Sequence, residues 1–127
     1  MSTSFTGVPA GEIDGYWPHV CGYFVGISER SGGRFAPVDY FNSFKDRSRQ
    51  LWIAAKDDRV TMVLVTEVRD YPRKKVAALI ACAGEGRGDW LHYLQVIEDW
   101  ARSQGCEAIE AEARPGWARV LGWKKTH

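Results

Sequence analysis

Two stretches near the N-terminus carry apolar residues at the three-and-four spacing of amphipathic helices. The first helix is predicted from Pro18, which suits an opening turn, to a stop at Gly32. The second is predicted from Pro37 to about Arg47. The residues before the first helix are rich in Ser, Thr, Gly and Pro and show no such pattern. We therefore expect residues 1–12 to be a flexible terminus.

From residue 50 onward, the pattern changes to apolar and β-branched runs separated by polar turns. Strands are predicted at 51–55 and 60–68, joined as a hairpin, and at 75–83 after a turn that contains Pro72. Since consecutive strands usually lie side by side, an antiparallel meander is the simplest arrangement of the three.

A glycine-rich connection at 84–89 leads into a long helical stripe. The apolar members of the stripe are Trp90, Tyr93, Leu94, Ile97, Trp100 and Ala101. Gly105 ends the helix, and residues 106–113 then alternate between two faces, as in a half-buried strand. Strand, loop, helix and strand predict a βαβ unit, so the fold class is α/β (α+β) with a mixed, mostly antiparallel sheet.

Length and charge narrow the class of protein. A chain of 127 residues corresponds to about one domain, which we place at 13–127. Lys and Arg number 17 against 16 Asp and Glu, and this balance argues against a protein that wraps duplex DNA. Nucleic acid is therefore not an expected partner. A local basic cluster could still meet an acidic surface, and its members are Arg69, Arg73, Lys74 and Lys75.

Targeting signals and metal motifs are also not apparent in the sequence. The apolar run at 76–83 is far shorter than a membrane helix requires, and the first ten residues lack the charge and apolar core of a leader. Cys21, Cys82 and Cys106 are widely spaced without a C-x-x-C pair, so we interpret them as reduced core thiols. We expect a cytoplasmic protein with no metal and no membrane partner.

The glycine-rich connection is a candidate anion site. Glycines allow backbone N–H groups to converge on a phosphate, and the following helix adds its positive end. The candidates are Gly84, Gly86, Arg87 and Gly88. Glycines also form ordinary turns, and Asp89 could itself cap the helix and repel a phosphate. On loop chemistry alone, the two interpretations remain equally open.

Several motifs, most of them in the second half of the chain, are similar to those of a known superfamily. Residues 98–110 (EDWARSQGCEAIE) match a central helix with its following strand, and residues 121–125 (LGWKK) match a Leu-Gly-Phe ending. With the order of elements, these motifs resemble the GNAT N-acetyltransferases. The segments QLWIA, VTEV, DYPR and GWARVL, beginning at residues 50, 65, 70 and 116, resemble more narrowly the small GNAT-like proteins that tailed phages encode.

The resemblance implies a GNAT-like fold and an acyl-CoA-dependent N-acetyltransferase that acts on a small-molecule or protein amine in a host cytoplasm. Acetyl-CoA would lie beside the end of the strand and the loop, against Cys82, Ala83, Gly84, Gly86, Arg87 and Gly88. In the family's R-x-x-G-x-G/A loop, only Gly88 matches, since Glu85 stands where arginine is expected and Trp90 where a small residue is expected. We therefore expect weak or lost activity.

Catalytic candidates follow from the same resemblance. The family's proton-donating tyrosine falls at about Ala118, which leaves Tyr93 and Tyr71 as substitutes. Glu67 and Glu110, on strands predicted to be neighbours, could deprotonate the amine, although such alternating charge also fits a solvated sheet face. The alternative function is a non-catalytic protein that uses the scaffold to hold a protein partner, a phage assembly or a second copy.

Overall fold

The computed structural model describes residues 3–84 and 90–111 of the chain. After β1, a short 3-10 turn precedes α1. The elements are β1 (Thr3–Val8), the 3-10 turn (Ala10–Glu12), α1 (Ile13–Arg30), α2 (Pro37–Lys45), β2 (Gln50–Lys56), β3 (Arg59–Asp70), β4 (Lys75–Gly84), α3 (Trp90–Ser103) and β5 (Ala108–Ala111). No helix in these two ranges has the length and apolar character needed to cross a bilayer.

One sheet holds the five strands in the order β1-β2-β3-β4-β5. The pairs β1–β2, β2–β3 and β3–β4 are antiparallel, and β5 runs parallel to β4 after the intervening α3. A parallel pair needs a crossover connection, which α3 supplies. The predicted fold class is therefore confirmed, with a mixed, mostly antiparallel sheet and a βαβ unit.

The N-terminal segment differs from its prediction. Thr3–Val8 forms the edge strand β1, in register with β2 from Thr3 opposite Lys56 to Val8 opposite Leu51. The expectation of a flexible terminus is wrong for these residues. Phe5 explains the difference, because its ring stacks on Trp52 and on a tyrosine of α3, contacts that a local pattern cannot show.

The first helix also begins earlier than predicted. α1 starts at Ile13, and Pro18 lies inside the helix rather than in its opening turn. Proline has no N–H, so one bond of the helical ladder is missing there. Ile13 is fully buried and fixes the start of the helix by packing into the core. α2 begins at Pro37 as predicted, and it ends at Lys45, shortly before Arg47 adopts a left-handed φ of 69°.

The sheet is buried on both faces. Successive residues of the central strands alternate between two clusters, so Val63 and Val65 pack toward α1 and α2 while Leu64 packs toward α3. This explains the nearly continuous apolar runs of these strands. The α3 face gathers Trp52, Leu64, Ala77, Leu79, Leu94, Ile97, Ala101, Cys106 and Ile109. The α1 and α2 face gathers Val20, Phe24, Ile27, Tyr40, Phe44, Leu51, Ile53, Val63, Val65 and Ala81.

Candidate functional site

The parallel strands β4 and β5 pair over only part of β4. Their register runs from Val76 opposite Ala108 to Leu79 opposite Ala111. β4 continues to Gly84 along β3, but no strand in the described ranges pairs with its other edge beyond Leu79. The backbone N–H and C=O groups on that edge are strong hydrogen-bonding groups that an extended ligand could meet.

A β-bulge lies where this open edge begins. Val65 pairs with Ala81 and Thr66 pairs with Leu79, which leaves Ile80 as an extra residue in β4. Ile80 and Ala81 both pack toward α1 and α2, whereas Leu79 packs toward α3. The bulge therefore turns the second half of β4 relative to the first, a geometry that often re-aims groups beside a functional site.

Three of the predicted cofactor residues lie along the open edge. The carbonyl of Cys82 accepts a hydrogen bond from Arg30 Nη2 at 3.4 Å, and Ala83 packs at the margin of the α1 and α2 core. Gly84 has a φ of +115°, and a Cβ there would lie 2.3 Å from the carbonyl oxygen of Thr61. Only glycine fits at this position, because any side chain would collide with the backbone of β3. The other three candidates, Gly86, Arg87 and Gly88, lie outside the described residues.

The two candidate carboxylates lie on one face of the sheet. Glu67 of β3 and Glu110 of β5 are both in register with Ala78 of β4, one on each side. They are therefore separated by a strand, and the prediction that they sit on neighbouring strands is wrong. Side chains opposite one another in a ladder share a face, so both point to the side covered by α1 and α2.

Two arginines join these carboxylates into a row. Arg49 Nε lies 3.2 Å from Glu67 Oε1, and Arg69 Nε lies 2.9 Å from Glu67 Oε2. Arg69 also reaches Glu110, with Nη1 at 3.6 Å from Oε1. Because each oxygen of Glu67 faces a guanidinium, its charge is balanced within the row, an arrangement typical of a structural ion-pair network.

Glu110 is the more accessible of the two carboxylates. Its side chain is 36% exposed, against 24% for Glu67. The hydroxyl of Tyr71 lies 3.5 Å from Glu110 Oε1, at the limit of a hydrogen bond. Glu110 also borders a cavity of about 390 Å³ beside the β3–β4 turn, together with Tyr71, Pro72, Arg73 and Lys74. The geometry thus leaves Glu110, but not Glu67, open to a ligand.

Tyr93 is not part of this group. It lies on α3, on the opposite side of the sheet, and is only 1% exposed. Its ring stacks on Phe5 with centroids 4.5 Å apart and packs with Ala54 and Met62. The structure therefore brings Glu67, Glu110 and Tyr71 to one face and places Tyr93 in the core behind it.

Arg49 is a site residue that sequence reasoning did not single out. Its guanidinium stacks over Phe35 and Tyr40, at 5.1 Å and 5.6 Å from the ring centroids. Burial raises the pKa of Tyr40, and the nearby Arg49 charge lowers it in part. The i, i+2 spacing of Glu67 and Arg69 could have indicated their ion pair, but no local signal points from Arg49 to β3.

Comparison with known proteins adds to this geometry. No family model matches the sequence, and no curated protein matches it. An aminoglycoside acetyltransferase from an uncultured soil metagenomic sample, in complex with sisomicin, superposes with a TM-score of 0.71 at 11% identity, over 98% of this chain and 93% of that one.

Two further solved structures agree. An aminoglycoside N-acetyltransferase in complex with CoA gives a TM-score of 0.70 at 14% identity, over 99% of this chain and 90% of that one. A ribosomal-protein-alanine N-acetyltransferase from Brucella melitensis biovar Abortus 2308 gives 0.65 at 13% identity, over 99% and 98%. This chain therefore has the fold of the GNAT acetyltransferases.

Proposed function

We propose that this protein is an acetyl-CoA-dependent N-acetyltransferase. The observation that carries the proposal is the open edge of β4 beyond the bulge, which begins two residues past Ala78, the partner of Glu110 in the ladder. Solved acetyltransferases share the fold, and one of them is a complex with CoA. Fold alone does not establish function, so the support lies in the open edge and the accessible carboxylate together.

The described residues fit an extended cofactor arm. Ile80, Ala81, Ala83 and Gly84 lie on an edge of β4 with which no described strand pairs, and main-chain donors and acceptors on such an edge suit the amides of such an arm. Acetyl-CoA supplies an acetyl group activated as a thioester. The Arg30 bond to the Cys82 carbonyl would hold that part of β4 in place or yield to the cofactor.

Glu110 would act as the general base and Tyr71 as the general acid. Glu110 would accept the proton that the acceptor amine loses as it forms the new amide bond. The Tyr71 hydroxyl, next to Glu110, would donate a proton to the departing thiolate. Tyr71 suits this role better than Tyr93, which lies in the core on the other face. The general base and the general acid would thus lie on the same face of the sheet.

Ligand binding tests the proposal directly. Acetyl-CoA should raise the melting temperature in proportion to the logarithm of its concentration above the dissociation constant. The matched control is free acetate with adenosine at the same concentrations, which should give no shift. No shift with millimolar acetyl-CoA would overturn the proposal and favour a non-catalytic partner-binding role.

Substitution of Glu110 tests the catalytic role. Glu110→Gln keeps the shape and removes the base, so we expect kcat for acetyl transfer to fall by about 100-fold or more while KM for acetyl-CoA stays the same. Glu107→Gln is the matched control, because Glu107 is an exposed carboxylate just before β5. Equal activity of the two variants would contradict a base at position 110.

Two finer predictions remain attached to this proposal. The departures at Glu85 and Ala118 predict slow turnover, which the same assay measures against the unsubstituted protein. The narrower resemblance to phage-encoded proteins predicts that the acceptor amine is met in the cytoplasm of an infected host.

A further inference from the structure

A groove of about 600 Å³ lies at the end of the sheet where β1 ends and β2 begins. β2 and β4 run in the same direction because each is antiparallel to β3. Gln50, where β2 begins, is in register with Leu79 through β3, and Ala54 is in register with Gly84. The groove therefore lies at the Leu79 end of the open edge, with β3 between them. A volume of this size accommodates a small organic molecule. The groove is thus a second concave site that acetyl transfer does not use.

One wall of the groove is aromatic. Trp52 and Trp100 both line it and meet edge to face, with ring centroids 5.3 Å apart. The indole N–H of Trp52 donates to Thr66 at 2.9 Å, which fixes the orientation of its ring. Gly7 lies opposite Trp52 in the ladder, and the nearest ring atom lies 3.5 Å from where a Cβ would be. Because Trp52 is only 5% exposed, the half-buried Trp100 supplies most of the apolar surface of the groove.

The polar side of the groove is basic. Arg47 and Arg49 line it, and none of its described lining residues is acidic. Glu67, outside the groove, balances the charge of Arg49. Arg47 is exposed, and its guanidinium has no hydrogen-bond or ion-pair partner among the described residues. The Ser48 N–H donates to Asp46 Oδ1 at 2.8 Å, which holds the tight turn that contains Arg47. An exposed guanidinium and a pair of indole rings thus line the same groove.

We propose that this groove binds a small planar aromatic carboxylate. The ring would lie against Trp100 and the small exposed edge of Trp52, where stacking and exclusion of water stabilise it. The carboxylate would accept hydrogen bonds from the Arg47 guanidinium, whose fork geometry suits two oxygens at once. Gln50 and Gln104, which also line the groove, provide side-chain amides for further polar contacts. This ligand site does not depend on acetyl transfer.

Titration with 2-naphthoate, followed by amide and indole NMR signals, tests the site. We expect saturable shifts at Gly7, Gly11, Gln50 and the Trp100 indole, and no comparable shifts along Ile80 to Gly84. The neutral analogue 2-naphthalenemethanol should bind about tenfold more weakly or worse, because it lacks the charge that Arg47 meets. Equal binding of the two probes, or shifts elsewhere only, would overturn the proposal.

Two substitutions in the groove and one control outside it separate the effect of charge from the effect of shape. Arg47→Asn removes the guanidinium while suiting the left-handed backbone, and should weaken 2-naphthoate binding about tenfold or more. Arg59→Asn removes a comparable exposed cation at the β2–β3 turn and should leave binding unchanged. Gly7→Val should cover the Trp52 ring and abolish binding while the protein stays folded, since valine favours a strand. Unchanged affinity in both Arg47→Asn and Gly7→Val would refute the site.

Discussion

At the scale of single residues, Gly84 is held where no side chain fits. Its positive φ is one constraint, and the approach of the Thr61 carbonyl and the Met62 Cα is another. Because the close approach comes from β3, it fixes glycine at this position without any ligand. The residue therefore holds the end of β4 against β3.

Gly84→Ala should destabilise the protein by about 3 kcal/mol or more, because backbone strain and a clash with backbone atoms add. Gly105→Ala is the matched control: Gly105 also has a positive φ, +84°, but a Cβ there meets nothing within 4 Å. It should cost about 1 kcal/mol. Urea unfolding of the two variants measures the difference, and equal losses would contradict the clash.

Residue-level chemistry could be predicted only in part. The resemblance, together with the predicted strands, was enough to select Glu67 and Glu110, and both lie on one face of the sheet. The guanidinium partners of Glu67 depend on where the segment after α2 crosses the sheet. Tertiary packing decides where this segment lies on the sheet, so the spacing of residues in the sequence could not predict that Arg49 meets Glu67. The same limit applies to Tyr93, whose phenol ring is buried against Phe5.

At the scale of elements, the described helices and strands between Pro37 and Ala111 follow the predicted pattern closely. Their apolar periodicity is strong, and packing preserves it. The departures lie in the N-terminal part of the chain, at β1 and at the start of α1, where Phe5 and Ile13 gain their burial from distant elements. Short polar edge strands are stabilised by their partners more than by their own composition.

Phe5 is the residue that ties β1 to α3, so Phe5→Ala should lower the free energy of unfolding by about 2 kcal/mol. Thr6→Ala, an exposed change on the same strand, should alter it by less than about 0.5 kcal/mol. Urea denaturation compares the two variants. A flexible N-terminal segment would instead make both substitutions silent.

In the molecule taken as one unit, the sheet separates two cores, and each core contains a buried side chain that can lose a proton only at high pH. Tyr40 lies in the α1 and α2 core and Cys106 in the α3 core. Burial raises the pKa of each, and nearby Arg49 and Lys75, respectively, lower them in part. The neutral forms are thus favoured in the folded state, and alkali should weaken both faces of the sheet.

The direction in which stability changes with pH follows from the difference between the Cys106 pKa of the folded and the unfolded protein. Above the ordinary thiol pKa of 9.0, the unfolded chain loses the Cys106 proton before the folded protein does, so stability should fall as the pH rises. Cys106→Ala removes that proton and should reduce the slope of unfolding free energy against pH. Urea unfolding across this range measures it, and an unchanged slope in the variant would contradict the assignment.

The extra residue at Ile80 has a consequence for the lengths that β4 can tolerate. Upstream of it Leu79 points to α3, and downstream of it Ala81 points to α1 and α2. Deletion of Ile80 would make Leu79 and Ala81 consecutive, which restores strict alternation and leaves every later residue on its present face. A residue inserted elsewhere in β4 would instead exchange the two faces for everything that follows and take Gly84 out of alignment with Met62. Natural single-residue deletions within β4 should therefore be tolerated at the bulge, and insertions should be found outside the strand.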